Sequence, residues 1–242
     1  MERKEFLKTL SLGSMALPLL IRCNGDDDGV TPTSTTDDVT SEDTAADCIE
    51  TASETAGPFP SKDPASLQRL DIRGDRTGIL MDIEITVLDQ SNSCIPLEGA
   101  IVDIWHCDKD GYYSEYGGTG MQSADFTSQH FLRGRQIADA NGKVAFTSIF
   151  PGWYTGRSTH IHVHVYDADG NSLLVTQIAF PEGSSSAVNQ VNAASDAGYT
   201  KGMSGYTTNS TDNVFSDGVS TELANISGDV SSGFYLTHSI VV

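Results

Sequence analysis

Bases are scarce in this chain: 14 Lys and Arg stand against 33 Asp and Glu in 242 residues, a formal charge of −19. Nucleic acids and anionic membrane faces are recognised by basic patches, so this balance excludes both as partners. The best candidate for a membrane-crossing helix, Leu10 to Ile21, is only 12 residues long, too short to span a bilayer stably. No stretch sustains the 3.6-residue period of an amphipathic helix, which argues against a helix-based fold. Four cysteines are present without a CxxC pair or any Cys/His zinc spacing. There is no internal repeat.

What is present first is an amino-terminal pattern of export. Arg3, Lys4 and Lys8 precede the apolar stretch, and residues 1–23 read as an export signal. Lys4 stands where a twin-arginine signal has its second arginine, so that route and the general secretory route both remain open. Cys23 closes the stretch as a candidate lipid-anchor cysteine, although Arg22 occupies a place usually held by a small residue. A periplasmic, cell-surface or secreted location follows, with membrane contact only through a lipid on Cys23. Residues 24–47 carry eight acids, no bases and almost no large apolar side chain, the composition of a disordered, solvated tether. With Cys23 lipidated or removed, Cys48, Cys94 and Cys107 remain. One disulfide and one free thiol is the simplest outcome in an oxidising compartment, and Cys48–Cys94 is the expected pair.

From Cys48 to Val242 the signals are those of short strands. Met81, Ile83, Ile85 and Val87 alternate with Asp82, Glu84 and Thr86, a half-buried strand. Ala100–Trp105 is a second. Asn141-Gly142 separates residues 135–140 from 143–149, and Asp169-Gly170 separates 160–166 from 172–180, both hairpin signals. Phe234–Val242 closes the series. The expected fold is all-β: one antiparallel β-sandwich of seven to nine strands with long loops.

His160-Ile161-His162 places two imidazoles on one strand face, roughly 6.5–7 Å apart along the strand, where both can reach one metal ion. His164 extends that face, as a third ligand or a solvent-facing residue. The turn-rich Pro151-Gly152-Trp153-Tyr154-Thr155-Gly156-Arg157 feeds directly into this strand. Further back, Tyr112 and Tyr113 follow the turn at Asp110-Gly111. A copper or zinc site built from His160, His162 and His164, with incidental tyrosines, is one reading of these residues. Tyr199 to Tyr206 is a candidate rim over the pocket. Asp212 and Phe215 lie in a Gly/Ser/Asp-rich loop with no evident chemical role.

Trp105…Gly111-Tyr112-Tyr113, then Pro151-Gly152-Trp153-Tyr154, then Arg157-Ser158-Thr159-His160-Ile161-His162 resembles the signature of intradiol ring-cleavage dioxygenases in order, spacing and residue type. Glu54-Thr55-Ala56-Gly57-Pro58-Phe59, Gln177 and Gly233-Phe234-Tyr235 extend the resemblance over residues 48–242. It implies that Tyr113, Tyr154, His160 and His162 bind non-haem iron(III), with Tyr113 rather than Tyr112 as the first ligand. It further implies that Tyr154 leaves the metal when substrate chelates, that Arg157 and Gln177 assist catalysis, and that Gly57, Pro58 and Phe59 line the pocket. The partners would be a small aromatic diol and O₂. Phe59 departs from the pattern, since a tyrosine is common there, and His164 and Cys107 are additions. The alternative is a transthyretin-like β-sandwich acting as a non-catalytic binding module.

Overall fold

The protein is described over residues 48–242 by a computed structural model; the export signal, Cys23 and the tether lie outside the described residues. Nine strands are present there: β1 (Leu80–Asp89), β2 (Ile95–Pro96), β3 (Ile101–Trp105), β4 (Arg133–Ile137), β5 (Lys143–Ile149), β6 (His160–Tyr166), β7 (Ser172–Ala179), β8 (Asn225–Asp229) and β9 (Gly233–Val241). One α-helix, α1 (Ala187–Ala193), accompanies them. It spans only 7 residues and is capped by the Ser186 side chain, which accepts from Asn189 N; a helix this short shows no sustained period in the sequence.

The strands form two sheets, one in the order β4-β3-β6-β7 and the other β2-β1-β9-β8 with β5 also paired to β1. Every pairing is antiparallel except β1 with β9, which is parallel. The alternation in β1 does what it predicts: Met81, Ile83, Ile85 and Val87 are buried and face Ile161, Val163 and Val165 of β6 in the main core. Burial of each such side chain contributes about 1.5–3 kcal/mol.

The two glycine turns differ in outcome. Asp169-Gly170 joins β6 to its antiparallel neighbour β7, with Asp167 Oδ1 accepting from Asp169 N and Asn171 N. Asn141-Gly142 is not a hairpin: it turns the chain from β4 in one sheet to β5 in the other. Gly142 has φ 70°, and a Cβ there would meet Val87 O at 2.4 Å, so the tight turn is packed onto β1 rather than extended as a ribbon. Cys48 and Cys94 form a disulfide with Cα atoms 5.9 Å apart, and Cys107 is free and buried.

Pleating decides where the chemistry sits. Because Ile161, Val163 and Val165 point into the sandwich, His160, His162 and His164 must point to the outer face of the four-stranded sheet. Register then aligns Arg133, Trp105, His162 and Gln177 in one row across that face.

Candidate metal centre and active site

Loops cover one end of this outer face. The 106–132 excursion between β3 and β4 supplies Tyr113, and the 150–159 loop supplies Tyr154 and Arg157. Tyr113 Oη lies 3.2 Å from His160 Nε2, Tyr154 Oη 3.4 Å from it, and His162 Nε2 3.2 Å from it. Four donor atoms thus converge on one buried point. Tyr112, the other candidate, does not join them; its ring packs near Phe126.

His160 Nδ1 lies 2.7 Å from Ser158 O, which only a protonated Nδ1 can satisfy, so Nε2 carries a bare lone pair. Burial, then the nearby Arg157 charge, lowers the His160 pKa to about 3. His162 is held well below the usual histidine value by burial and by His160. Both rings are therefore neutral. Burial raises both tyrosines above the usual phenol value, and Arg157 opposes that rise in each. One lone pair on His160 Nε2 cannot serve Tyr113, Tyr154, His162 and Arg157 Nη1, the last at 3.5 Å. A shared cation resolves the conflict. Donor atoms bound to one ion at ~2.0–2.2 Å stand roughly 3–3.6 Å apart, the spacing found here. Two phenol oxygens that ionise against a metal, with two neutral imidazoles, suit a hard trivalent ion, and two phenolates offset most of its charge. The residues present fit iron(III).

The remaining predicted residues fall in four groups. Arg157 is buried: Nε donates to Asp212 Oδ1 and Oδ2 at 2.9 and 2.8 Å, and Nη2 donates to Gln177 Oε1 at 2.5 Å. Gln177 Nε2 donates in turn to Thr55 O at 2.8 Å, joining the amino-terminal arm to Arg157. Gly57 has φ 67°, and a Cβ there would lie 3.0 Å from the His162 ring, so only glycine lets the arm approach this closely. Phe59 packs on Tyr113, ring centroids 5.0 Å apart, and on Tyr116 at 5.2 Å. Pro58 between them is exposed to solvent. His164 is drawn elsewhere, its Nε2 bonded to Ser172 Oγ and its Nδ1 to Tyr166 Oη, so no three-histidine site forms. In the 199–206 stretch, Tyr199 is buried in the main core and donates to Phe150 O, while Tyr206 Oη accepts from Thr159 N at the end of the loop that carries Arg157.

The sequence assigned no chemical role to two residues that support the site. Trp105 stacks on His162 with rings 5.0 Å apart and 3° from parallel, a contact set by the β3–β6 register and therefore not visible in the sequence. Asp212, fully covered, also accepts from Ser158 N and Val214 N. Burial pushes its pKa up, but those two N–H groups and Arg157 bring it below the usual value. Nothing in the sequence joins Arg157 to a residue 55 positions away.

Comparison with known proteins shows the family. The profile of a family described as Dioxygenase matches residues 60–214, well over half the chain. Chlorocatechol 1,2-dioxygenase of Rhodococcus opacus is 32% identical over 154 residues, covering 54% of this chain and 56% of that protein. Catechol 1,2-dioxygenase of Acinetobacter baylyi is 31% identical over 128 residues, covering 46% and 39%. The chain spans about half the length of the curated relatives it matches, or less. An intradiol ring-cleavage dioxygenase from Tetranychus urticae superposes with a TM-score of 0.69 at 28% identity, over 80% of this chain and 94% of that one. The dioxygenase domain of a carbohydrate-binding fusion protein from Streptomyces sp. SirexAA-E gives 0.56 at 26%, over 80% and 98%. The chain belongs to the intradiol dioxygenase family.

Proposed function

We propose that the protein is an iron(III)-dependent intradiol dioxygenase that opens a catechol-type ring between its two hydroxylated carbons. The observation that carries this is the convergence of Tyr113, Tyr154, His160 and His162 on one buried point beside Arg157. These four residues would hold the metal. When bound, the ferric ion supplies the Lewis acid and redox centre through which a chelated diol becomes reactive toward O₂. Tyr154 Oη, half-buried and carried by the same loop as Arg157, would accept a proton from the incoming diol. Arg157, fixed by Asp212 and Gln177, presents a preoriented positive charge that stabilises negative charge on the substrate ring. Phe59, Trp105 and Tyr113 form an apolar wall that keeps water from the reacting face. Both atoms of O₂ enter a cis,cis-muconate-type diacid, so no external reductant is required. The Cys48–Cys94 disulfide supports the exported location read from residues 1–23, because such links persist in oxidising compartments.

The test is a visible absorption spectrum of the iron-loaded protein before and after anaerobic addition of catechol. A broad tyrosinate-to-iron band that shifts with catechol, and weakens in Tyr154→Phe, is expected. A colourless protein carrying copper or zinc, or ring cleavage undiminished in a His160→Ala/His162→Ala double variant, refutes the assignment.

A further inference from the structure

Tyr113 differs from the other three candidate ligands in how its backbone is held. His160 and His162 are locked into a sheet, and Tyr154 lies a few residues before that strand. Tyr113 lies within a 27-residue excursion, residues 106–132, that contains no strand or helix. Asp108 organises the approach: its Oδ1 accepts from Asp110 N and Tyr112 N, and its own N–H donates to Tyr112 O. Beyond Tyr112 that local turn has no further bond to offer, and Tyr113 is reached by a side chain instead.

That side chain is Gln122, which is buried. Its Oε1 accepts from Tyr113 N at 2.7 Å, and its Nε2 donates to Tyr113 O at 2.8 Å. One amide thus pairs both backbone groups of Tyr113, as a neighbouring strand would. The same Nε2 reaches Tyr116 O at 2.9 Å and Ala124 O at 3.3 Å, so one amide gathers the whole loop. The amide orientation is set by its partners, since one N–H requires an acceptor and three carbonyls require a donor. A turn presents the residue: Thr119 N donates to Gln122 O, and Thr119 Oγ1 accepts from Gln122 N. Past Tyr113 the chain is braced again. Ser114 Oγ and Ser114 O both accept from the fully buried Arg133, and Glu115 adopts φ 67°, a left-handed conformation unusual for a residue with a side chain. Tyr113 Oη lies at the far end of its side chain, where any backbone tilt is magnified. A site needing sub-ångström placement requires its supports fixed in this way.

We propose that Gln122 is the positioning residue for Tyr113, setting where its phenol oxygen stands relative to His160 and His162. The spectroscopic and affinity consequences rest on the iron reading given above; the placement of the ring does not.

The experiment has two arms, on the full chain, with Gln122→Met, which keeps the length and loses every side-chain hydrogen bond, and Gln122→Glu, which keeps an acceptor for Tyr113 N. In the metal-free protein, ¹³C-labelled tyrosine ring resonances are recorded, with Tyr113 identified by Tyr113→Phe. The Tyr113 resonance should move in Gln122→Met and move less in Gln122→Glu, while the Tyr199 and Tyr235 rings stay in place. With iron(III) added, the charge-transfer band of Gln122→Met should shift in wavelength and iron affinity should fall ~10–100-fold, the usual cost of removing a group that orients a metal ligand. A lower melting temperature with an unmoved ring and band would make Gln122 a loop-stabilising residue only and overturn the proposal. Should wild type show no band while the Tyr113 ring still moves, the positioning role stands and the iron reading falls. If Gln122→Met does not fold, Gln122→Glu decides alone, an unmoved Tyr113 ring in that variant counting against the proposal.

Discussion

Glu222 supplies a quantitative test of the packing around the site that does not depend on any metal. Its side chain has no exposure to solvent, neither carboxylate oxygen has a hydrogen-bond partner among the described residues, and the charges acting on it are those of Glu54 and Asp217. Burial first, then those two carboxylates, raise its pKa from 4.5 to about 8. Below the unfolded value the group is protonated in both states and the folded form bears no penalty. Between the two values the folded chain keeps a proton that the unfolded chain has released, so stability falls as pH rises, by at most ~1.4 kcal/mol per pH unit. Above about pH 8 the folded group ionises too and the loss levels off. Complete exclusion of water would make the total ~5 kcal/mol; solvent that relaxes around the ionised group halves it or more, leaving ~2 kcal/mol. Glu222→Gln removes the titration while keeping the shape. Urea denaturation of the metal-free protein, followed by fluorescence of Trp105 and Trp153, should give a variant-minus-wild-type stability that increases by ~2 kcal/mol from pH 5 to pH 8.5. Titrating groups that do not act on Glu222 cancel in that difference. Curves that stay parallel across this range would falsify the account of Glu222 as a buried, protonated carboxyl.

Arg157→Ala should retain iron and its visible band while losing ~10²–10³ in kcat, because the lost charge acts on the reacting ring rather than on the metal. Asp212→Asn keeps Arg157 but loosens its hold; steady-state kinetics should show an intermediate loss in kcat, and denaturation a cost approaching ~3 kcal/mol for the broken buried pair. Gly57→Ala places a methyl 3.0 Å from the His162 ring at a φ of 67°. Its iron affinity should fall ~10-fold or more, measured by competition with a chelator, and its stability by ~1 kcal/mol or more. Unchanged affinity would mean that the arm yields and does not support His162.

The sandwich was legible because strand periodicity is local: the alternation in β1 and in β6 needs no knowledge of partners to show which side chains face inward. Partner choice is not local. The Asn141-Gly142 turn reads as a hairpin in sequence, yet its strands pair in different sheets, since burying both inner faces outweighs pairing neighbours. The parallel β1–β9 pairing joins strands too far apart in sequence for any turn signal to reveal. At the site, strand periodicity put His160 and His162 on one face, while Tyr113 and Tyr154 were joined to them only through the resemblance to intradiol dioxygenases. The redirection of His164 toward Ser172 and Tyr166 could not be read, because strand periodicity gives a side chain's face and not its partner. Asp212 and Gln122 sit in polar loops whose composition suits solvent as well as burial. Their roles exist only once Arg157 and the Tyr113 backbone, 55 and 9 positions away, are folded against them. The candidate donor residues could thus be named from the sequence, the histidine pair by strand periodicity and the tyrosines by family resemblance. Their supports were decided by tertiary structure alone, because a buried charge or backbone group takes whichever partner the fold brings within about 3 Å.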